Sequence, residues 1–126
     1  ETLAVSALVF GGVLERHPRL DVVVSHGGGT AAFLYGRMLE FAGLERAPIG
    51  TEEFVRSFGR LWFDTHVHSD DSLALLRAVA NPERLVYGSN FGGWDSSDPG
   101  HLNELFAAEL DANAQRLLRV TARIES

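Results

Sequence analysis

The sequence predicts an α/β fold in which three parallel strands are flanked by helices. Its 126 residues alternate three times between a short β-branched or aromatic run and a longer stretch of helical periodicity. Such alternation favours parallel strands joined by right-handed crossovers, as in a small open sheet or in a segment of a (β/α)8 barrel of the TIM type. Because a complete barrel takes roughly 250 residues, a chain of this length would supply less than half of one.

The first unit is predicted to open with a helix over residues 2–15. This segment is apolar on most faces, so the helix is expected to be buried. It should end before Pro18, because the residue that precedes a proline is disfavoured in helical dihedrals. The β-branched run 21–25 then predicts a parallel strand covered on both faces, and a further helix is expected over 30–42.

The second unit has the same order of elements. A helix is expected to begin near Thr51, whose side chain is predicted to cap it. Residues 61–65 read as a strand, since they combine apolar and aromatic side chains in a short run. Ser69 is predicted to cap a helix over 70–80.

The third unit is predicted to contain a strand over 84–88. Helical segments follow around 102–109 and 112–120, with Asp111 as the expected cap of the last one. No linker or low-complexity tract interrupts the chain, so residues 1–126 are predicted to form one domain, which is incomplete if it belongs to a barrel.

Composition excludes several classes of function. The chain carries 11 Lys and Arg against 17 Asp and Glu, a net charge of −6, which disfavours a nucleic-acid or anionic-membrane partner. It contains no cysteine, so disulfides and thiolate chemistry are excluded. No apolar run approaches the roughly 20 residues that a membrane span needs. A cytoplasmic location is expected.

Polar residues follow each predicted strand at the point where it ends. His26, His66, His68 and Asn90 all fall at this edge, where parallel α/β folds gather their catalytic groups. His26 precedes three glycines, which allow a tight turn and a close approach to a ligand. With a pKa near neutrality, His26 is a candidate general acid or base. The alternative is a histidine that serves only the turn.

Two further groups of residues are weaker candidates. His66 and His68 have the spacing of an H-x-H metal motif, but loop histidines with a structural role are favoured, because two ligands make no site unless others converge. In the loop after the third strand, Phe91 and Trp94 are predicted to line a pocket, although both could serve packing instead. Arg37 lies about three helical turns beyond the predicted site, too far to reach it from within the same unit.

Several runs resemble the amidohydrolase family typified by aminocarboxymuconate-semialdehyde decarboxylase. The runs are Glu1-Thr2, Gly11-Gly12-Val13, His17-Pro18, Val24 to Gly29, Phe63-Asp64-Thr65, His68, Tyr87 to Asn90, Asn113-Ala114 and Arg116-Leu117-Leu118. The resemblance covers essentially all 126 residues and only the C-terminal part of the family's barrel, namely its strands six to eight. It therefore implies the C-terminal portion of a (β/α)8 barrel.

The resemblance also implies roles for individual residues. His26 matches an active-site histidine that assists proton transfer, and Arg37 matches an arginine that holds a substrate carboxylate across a homodimer interface. Asn90 stands where the family carries a metal-binding aspartate. An amide oxygen binds Zn²⁺ more weakly than a carboxylate, so reduced affinity for the metal is expected at Asn90. Asp95, later in the same loop, is a poorer candidate for the ligand, and His68 is not assigned as one.

The implied function is metal-dependent, non-oxidative decarboxylation of an unsaturated or aromatic carboxylic acid, with a divalent metal such as Zn²⁺ as cofactor and a small-molecule carboxylate as substrate. Two alternatives stay open. One is hydrolysis on the same scaffold, for example by a lactonase, since one fold hosts many reactions. The other is a catalytically silent barrel fragment, which Asn90 and the absence of the first five strands would explain.

Overall fold

The computed structural model describes residues 1–96 and 104–120. Its helices are α1 (Thr2–Phe10), α2 (Val13–Arg16), α3 (Ala31–Ala42), α4 (Thr51–Phe58), α5 (Asp70–Val79) and α6 (Glu104–Leu118). Its strands are β1 (Val23–Val24), β2 (Trp62–Asp64) and β3 (Leu85–Val86). Short 3-10 turns lie at His26–Gly28 and Pro82–Arg84.

The three strands form one parallel sheet in the order β1-β2-β3. Val24 of β1 pairs with Phe63 of β2, and Phe63 pairs with Leu85 of β3. The parallel sheet with flanking helices confirms the predicted fold class. Each strand is shorter than its predicted range, because regular pairing covers only two or three residues before the chain turns into the next loop.

The hydrophobic core lies between the sheet and its flanking helices, including α6, which follows β3. Phe63 of β2 stacks on Phe58 of α4 with ring centroids 5.5 Å apart, and Phe58 in turn contacts Tyr35 of α3 at 4.9 Å. Phe54, Phe58 and Phe63 are almost completely buried. Aromatic pairs at these distances add to the stabilisation that burial of their surface already provides. This core fixes the position of β2, from which the candidate site is built.

The predicted first helix is wrong in two respects. Residues 2–15 form two helices, because Gly12 adopts a left-handed conformation (φ = +63°) that interrupts the helix between α1 and α2. Only Val5 and Val9 of α1 are buried, whereas Leu3 is 86% exposed. An apolar sequence on most faces therefore did not produce a helix buried on most faces.

Three predicted caps have different outcomes. Ser69 caps α5 as expected, since its Oγ accepts a hydrogen bond from the Ser72 N–H at 3.1 Å. Thr51 begins α4 but does not cap it, because Gly50 holds the cap position and no side chain bonds there. Asp111 lies inside α6, where its carboxylate accepts a bond from Gln115 at 2.7 Å.

The C-terminal region of the chain was predicted as two helical segments. From residue 104 onward it is a single helix, α6, and residues 102 and 103 of the first predicted segment lie outside the described residues. In the described parts of the chain, none of the helices has the length and apolar character that crossing a membrane requires.

Candidate active site

Three loops meet at the carboxyl edge of the sheet. The loop after β1 begins at His26, the loop after β2 carries His66 and His68, and the loop after β3 carries Asn90 and Asp95. The rings of His26 and His66 have their centroids 5.4 Å apart, and those of His66 and His68 are 4.3 Å apart. The structure therefore brings together the strand-end histidines that the sequence placed at one edge.

The glycines after His26 permit the first loop to lie directly on β2. Gly27 has φ = +58°, and a Cβ added to it would meet Val67 Cγ1 at 2.5 Å. Gly28 has φ = +80°, and its added Cβ would lie 2.7 Å from Cε1 of Phe63. Side chains are excluded at both positions by space and by backbone conformation. His26 itself has φ = +52°, a strained conformation of the kind that clusters at functional sites.

Asp64, the last residue of β2, ties the loops together. Its Oδ1 accepts hydrogen bonds from the backbone N–H groups of Gly27 at 3.0 Å and His66 at 3.1 Å. Gly88, after β3, approaches so closely that an added Cβ would lie 2.7 Å from Asp64 Cβ. Asp64 had no predicted role in the site. A carboxylate that ends a strand of buried apolar residues was the signal that could have found it.

His26 is held by the first residue of the chain. Its Nδ1 lies 3.0 Å from Oε1 of Glu1, and the two side chains are 41% and 40% exposed. This hydrogen bond is the main cause that lowers the pKa of Glu1 below its ordinary value. The start of α1 is fixed nearby, because the Thr30 N–H donates to Oγ1 of Thr2 at 2.9 Å. Glu1 was a second residue without a predicted role.

Asp95 is the carboxylate at the centre of the site. Its Oδ2 lies 3.3 Å from Nε2 of His66 and 3.2 Å from Nε2 of His68, while the side-chain amide of Asn90 donates to its Oδ1. The bond from Asn90 is the largest cause that lowers the pKa of Asp95 to about 2. Asp95 is therefore ionised near neutral pH, and one nitrogen of each imidazole lies within hydrogen-bond distance of its Oδ2.

A tight turn brings Asp95 back to the histidines. Asn90 has φ = +49° and Gly92 has φ = +81°, and the Gly93 N–H donates to the carbonyl of Asn90 at 2.8 Å. A Cβ on Gly93 would collide with the side-chain amide of Asn90. The chain can reverse here only because glycine occupies these turn positions.

The donor atoms of this site fit a divalent transition metal. His26, His66 and Asp95 each offer one ligand atom, and these atoms all lie within 4.8 Å of one another. Imidazole nitrogen and carboxylate oxygen are ligands that Zn²⁺ commonly takes, at about 2.0–2.2 Å from the ion. The His66 side chain is 1% exposed and that of Asp95 is 17% exposed, so the pair lies largely out of solvent.

A cleft of about 420 Å³ opens beside the histidines. Its lining includes His26, His66, His68 and the apolar side chains of Phe33 and Leu75. Phe91 and Trp94 are 96% and 97% exposed and stand outside this lining. Arg37 is exposed on α3. Substrate contacts by Arg37, Phe91 and Trp94 stay predictions.

Comparison with known proteins places this geometry in context. The model of a family described as amidohydrolase matches residues 1–123. The chain is 30% identical over 115 residues to a 2-amino-3-carboxymuconate-6-semialdehyde decarboxylase of Dictyostelium discoideum. The matched region covers 86% of this chain and 29% of that protein. It is 32% identical over 87 residues to a 6-methylsalicylic acid decarboxylase of Penicillium expansum, over 67% of this chain and 27% of that protein.

The fold matches solved structures as well. The crystal structure of a 2,6-dihydroxybenzoate decarboxylase complexed with 2,6-dihydroxybenzoate superposes with a TM-score of 0.74 at 16% identity, over 94% of this chain and 40% of that one. The chain thus spans less than a third of the length of the two curated relatives and corresponds in fold to part of an amidohydrolase barrel. Together, the family match and the strand-end arrangement of histidines show that this chain belongs to the amidohydrolase family.

Proposed function

We propose that this protein is a metal-dependent carboxy-lyase that removes CO₂ from an unsaturated or aromatic carboxylic acid, and that residues 1–126 form strands six to eight of its barrel. The observation that carries the proposal is the position of His26. Its ring centroid lies 5.4 Å from that of the buried His66, which contacts Asp95, and a cleft of suitable size for a small acid lies beside it. Relatives named as decarboxylases support the choice of reaction.

His26 is the proton carrier in this proposal. Because its Nδ1 is engaged by Glu1, Nε2 is the ring nitrogen that exchanges a proton with the substrate. His26 protonates the substrate carbon that bears the carboxylate, and the bond from that carbon to the carboxylate then breaks. CO₂ leaves, and the electron pair of the broken bond restores the unsaturated system. A proton from solvent recharges His26, which is two-fifths exposed.

The imidazole and carboxylate groups at the carboxyl edge of the sheet would hold the metal, with Zn²⁺ as the proposed ion. When bound, a divalent cation supplies positive charge next to the substrate and polarises its oxygen atoms. The buried position of His66 and the low exposure of Asp95 limit the access of water to these two side chains. Arg37 is proposed to hold a substrate carboxylate across the contact between two subunits of a homodimer, since it is exposed on α3 and does not line the cleft of its own chain.

The test is release of CO₂ from carboxyl-labelled 2,6-dihydroxybenzoate and 6-methylsalicylate by the protein expressed from its natural gene at its natural length, in the presence of Zn²⁺. We expect turnover with at least one of these acids. His26→Ala should lower turnover by roughly 10²–10⁴-fold, the usual contribution of a positioned acid or base. His17→Ala is the matched control, because His17 is exposed and lies outside the site.

Two outcomes would overturn the proposal. Turnover of a lactone with no CO₂ release from either acid would assign the protein to the hydrolases of the same fold. Near-normal decarboxylation by His26→Ala would leave His26 as a turn residue and require another proton carrier.

A further inference from the structure

The carboxylate for the metal stands in an unexpected position in this chain. Position 90, four residues after the end of β3, carries an amide, and the side-chain nitrogen of Asn90 points at Oδ1 of Asp95. An amide nitrogen that donates its hydrogen has no lone pair to offer a cation. The orientation of Asn90 therefore suits a residue that holds a carboxylate better than a residue that binds a metal.

Asp95 has the contacts that Asn90 lacks. Its Oδ2 lies 3.3 Å from Nε2 of the buried His66, and one of its carboxylate oxygens lies within 4.8 Å of a ligand atom of His26. Two donor atoms bound to one tetrahedral zinc ion are separated by about 3.3 Å, given metal–ligand distances near 2.0–2.1 Å. The nitrogen of His66 and the oxygen of Asp95 are thus already at the spacing that a shared cation requires.

The backbone conformation of the loop after β3 places Asp95 next to His66. The left-handed conformations of Asn90 and Gly92 reverse the chain, and Gly93 packs against the amide of Asn90 without room for a side chain. Asp95 returns toward the sheet and keeps only 17% of its side chain exposed. Such a conformation costs free energy and persists where the surrounding structure requires it.

We propose that Asp95, together with His66, is the metal-binding carboxylate of this site, and that Asn90 is a positioning residue that orients Asp95 through its side-chain N–H. The inference rests on the proposed function in one respect, namely that the site takes a divalent cation. It differs from the family pattern in placing the ligand five residues further along the loop. It also explains the amide at position 90, whose N–H orients the carboxylate of Asp95.

The experiment is calorimetric titration of the natural-length protein, stripped with a chelator, with Zn²⁺. Asp95→Asn keeps the shape of the side chain and removes its charge, and it should weaken Zn²⁺ binding by at least about 10-fold, because loss of even an outer partner costs roughly 10–100-fold. Asn90→Ala should weaken binding by a smaller factor. Asp71→Ala, an exposed carboxylate in the first turn of α5, controls for the change in net charge and should bind as the unaltered protein does.

A second measurement guards against loss of fold. Co²⁺ replaces Zn²⁺, and its visible absorption reports the ligands and geometry around the ion, so the spectrum should change in Asp95→Asn and persist in Asn90→Ala. Circular dichroism of each variant reports whether the helices are intact. Unchanged Zn²⁺ affinity and Co²⁺ spectrum in a folded Asp95→Asn would overturn the proposal. A loss in Asn90→Ala as large as that in Asp95→Asn would overturn it too.

The titration separates this inference from the proposed function. A protein that binds Zn²⁺ through Asp95 but releases no CO₂ would refute the carboxy-lyase alone. If the protein decarboxylates its substrate but the Asp95→Asn variant binds Zn²⁺ with unchanged affinity, only the ligand assignment is refuted.

Discussion

Glu1 Oε1 lies 3.0 Å from His26 Nδ1, so a carboxylate at the start of α1 orients the histidine that follows β1. The two residues are 25 positions apart in sequence, and no local pattern connects them. A carboxylate on one ring nitrogen fixes which tautomer the neutral imidazole adopts, and thereby which nitrogen faces the substrate.

Replacement of Glu1 by Gln should lower turnover by about 10-fold, the low end of the range for loss of an orienting carboxylate. The low end is expected because both side chains are about two-fifths exposed to solvent. Nitrogen NMR of His26 should show protonation at Nδ1 in the unaltered protein and a tautomer mixture in Glu1→Gln. Glu52→Gln, on the exposed part of α4, is the control, and an unchanged tautomer in Glu1→Gln would contradict the positioning role.

Replacement of Gly28 by Ala should destabilise the protein by about 1–3 kcal/mol, the usual cost of a side chain in a left-handed conformation. The new Cβ would also press on Phe63 at 2.7 Å. Gly36 is the matched control, because it lies within α3 with nothing within 4 Å of an added Cβ. Gly36→Ala should stabilise by about 0.5–1 kcal/mol. Denaturant unfolding of both variants measures the difference, and equal midpoints would contradict it.

Replacement of Asn90 by Ala should raise the pKa of Asp95 from about 2 toward its ordinary value of 3.8, because the largest cause of the lowered pKa is removed. A carboxyl group with a lowered pKa stabilises the fold at pH values above its ordinary pKa, and this contribution is lost as the pH falls through about 2. Carbon NMR titration of the metal-free protein measures the pKa directly. An unchanged Asp95 titration in the variant would show that the histidines hold the carboxylate without Asn90.

The 126-residue chain alone should associate in solution. Among the described residues, β1 and β3 each pair with a single strand, β2, and Val23 on β1 is 48% exposed. Unpaired strand edges with apolar side chains template pairing with other chains. Val23→Lys should reduce association, whereas Val55→Lys, at a helical valine that is 47% exposed, should not. Light scattering over a range of concentrations tests this, and a monomer at every concentration would refute it.

Local sequence patterns predicted much of the fold and part of the site. Strand and helix order followed from periodicity, and the cap at Ser69 followed from residue type alone. The break at Gly12 was missed because a single glycine within an apolar run gives no sign of its backbone conformation. Residues near a strand end, such as His26, could be placed at the correct edge from the sequence.

Contacts between distant parts of the chain could not be predicted in the same way. Asp64 and Asp95 acquire their roles from partners 37 and 29 positions away. Whether Asp95 reaches His66 depends on the turn that begins at Asn90, and two left-handed backbone conformations and one hydrogen bond set the geometry of that turn. The family pattern pointed to position 90, where Asn90 stands in place of an aspartate. In the fold, the carboxylate that lies beside His66 belongs to Asp95.

Asp64 accepts two hydrogen bonds, from the amides of Gly27 and His66, and this pair of bonds affects how the two loops at this edge move. One carboxylate oxygen bonds the loop after β1 and the loop after β2, so a movement of the Asp64 side chain releases both loops at once. Amide hydrogen exchange of Gly27 and His66 should therefore proceed through one shared opening event, with matched opening free energies. In Asp64→Asn both amides should exchange faster by the same factor. A ligand that enters between the loops would then require both loops to open together.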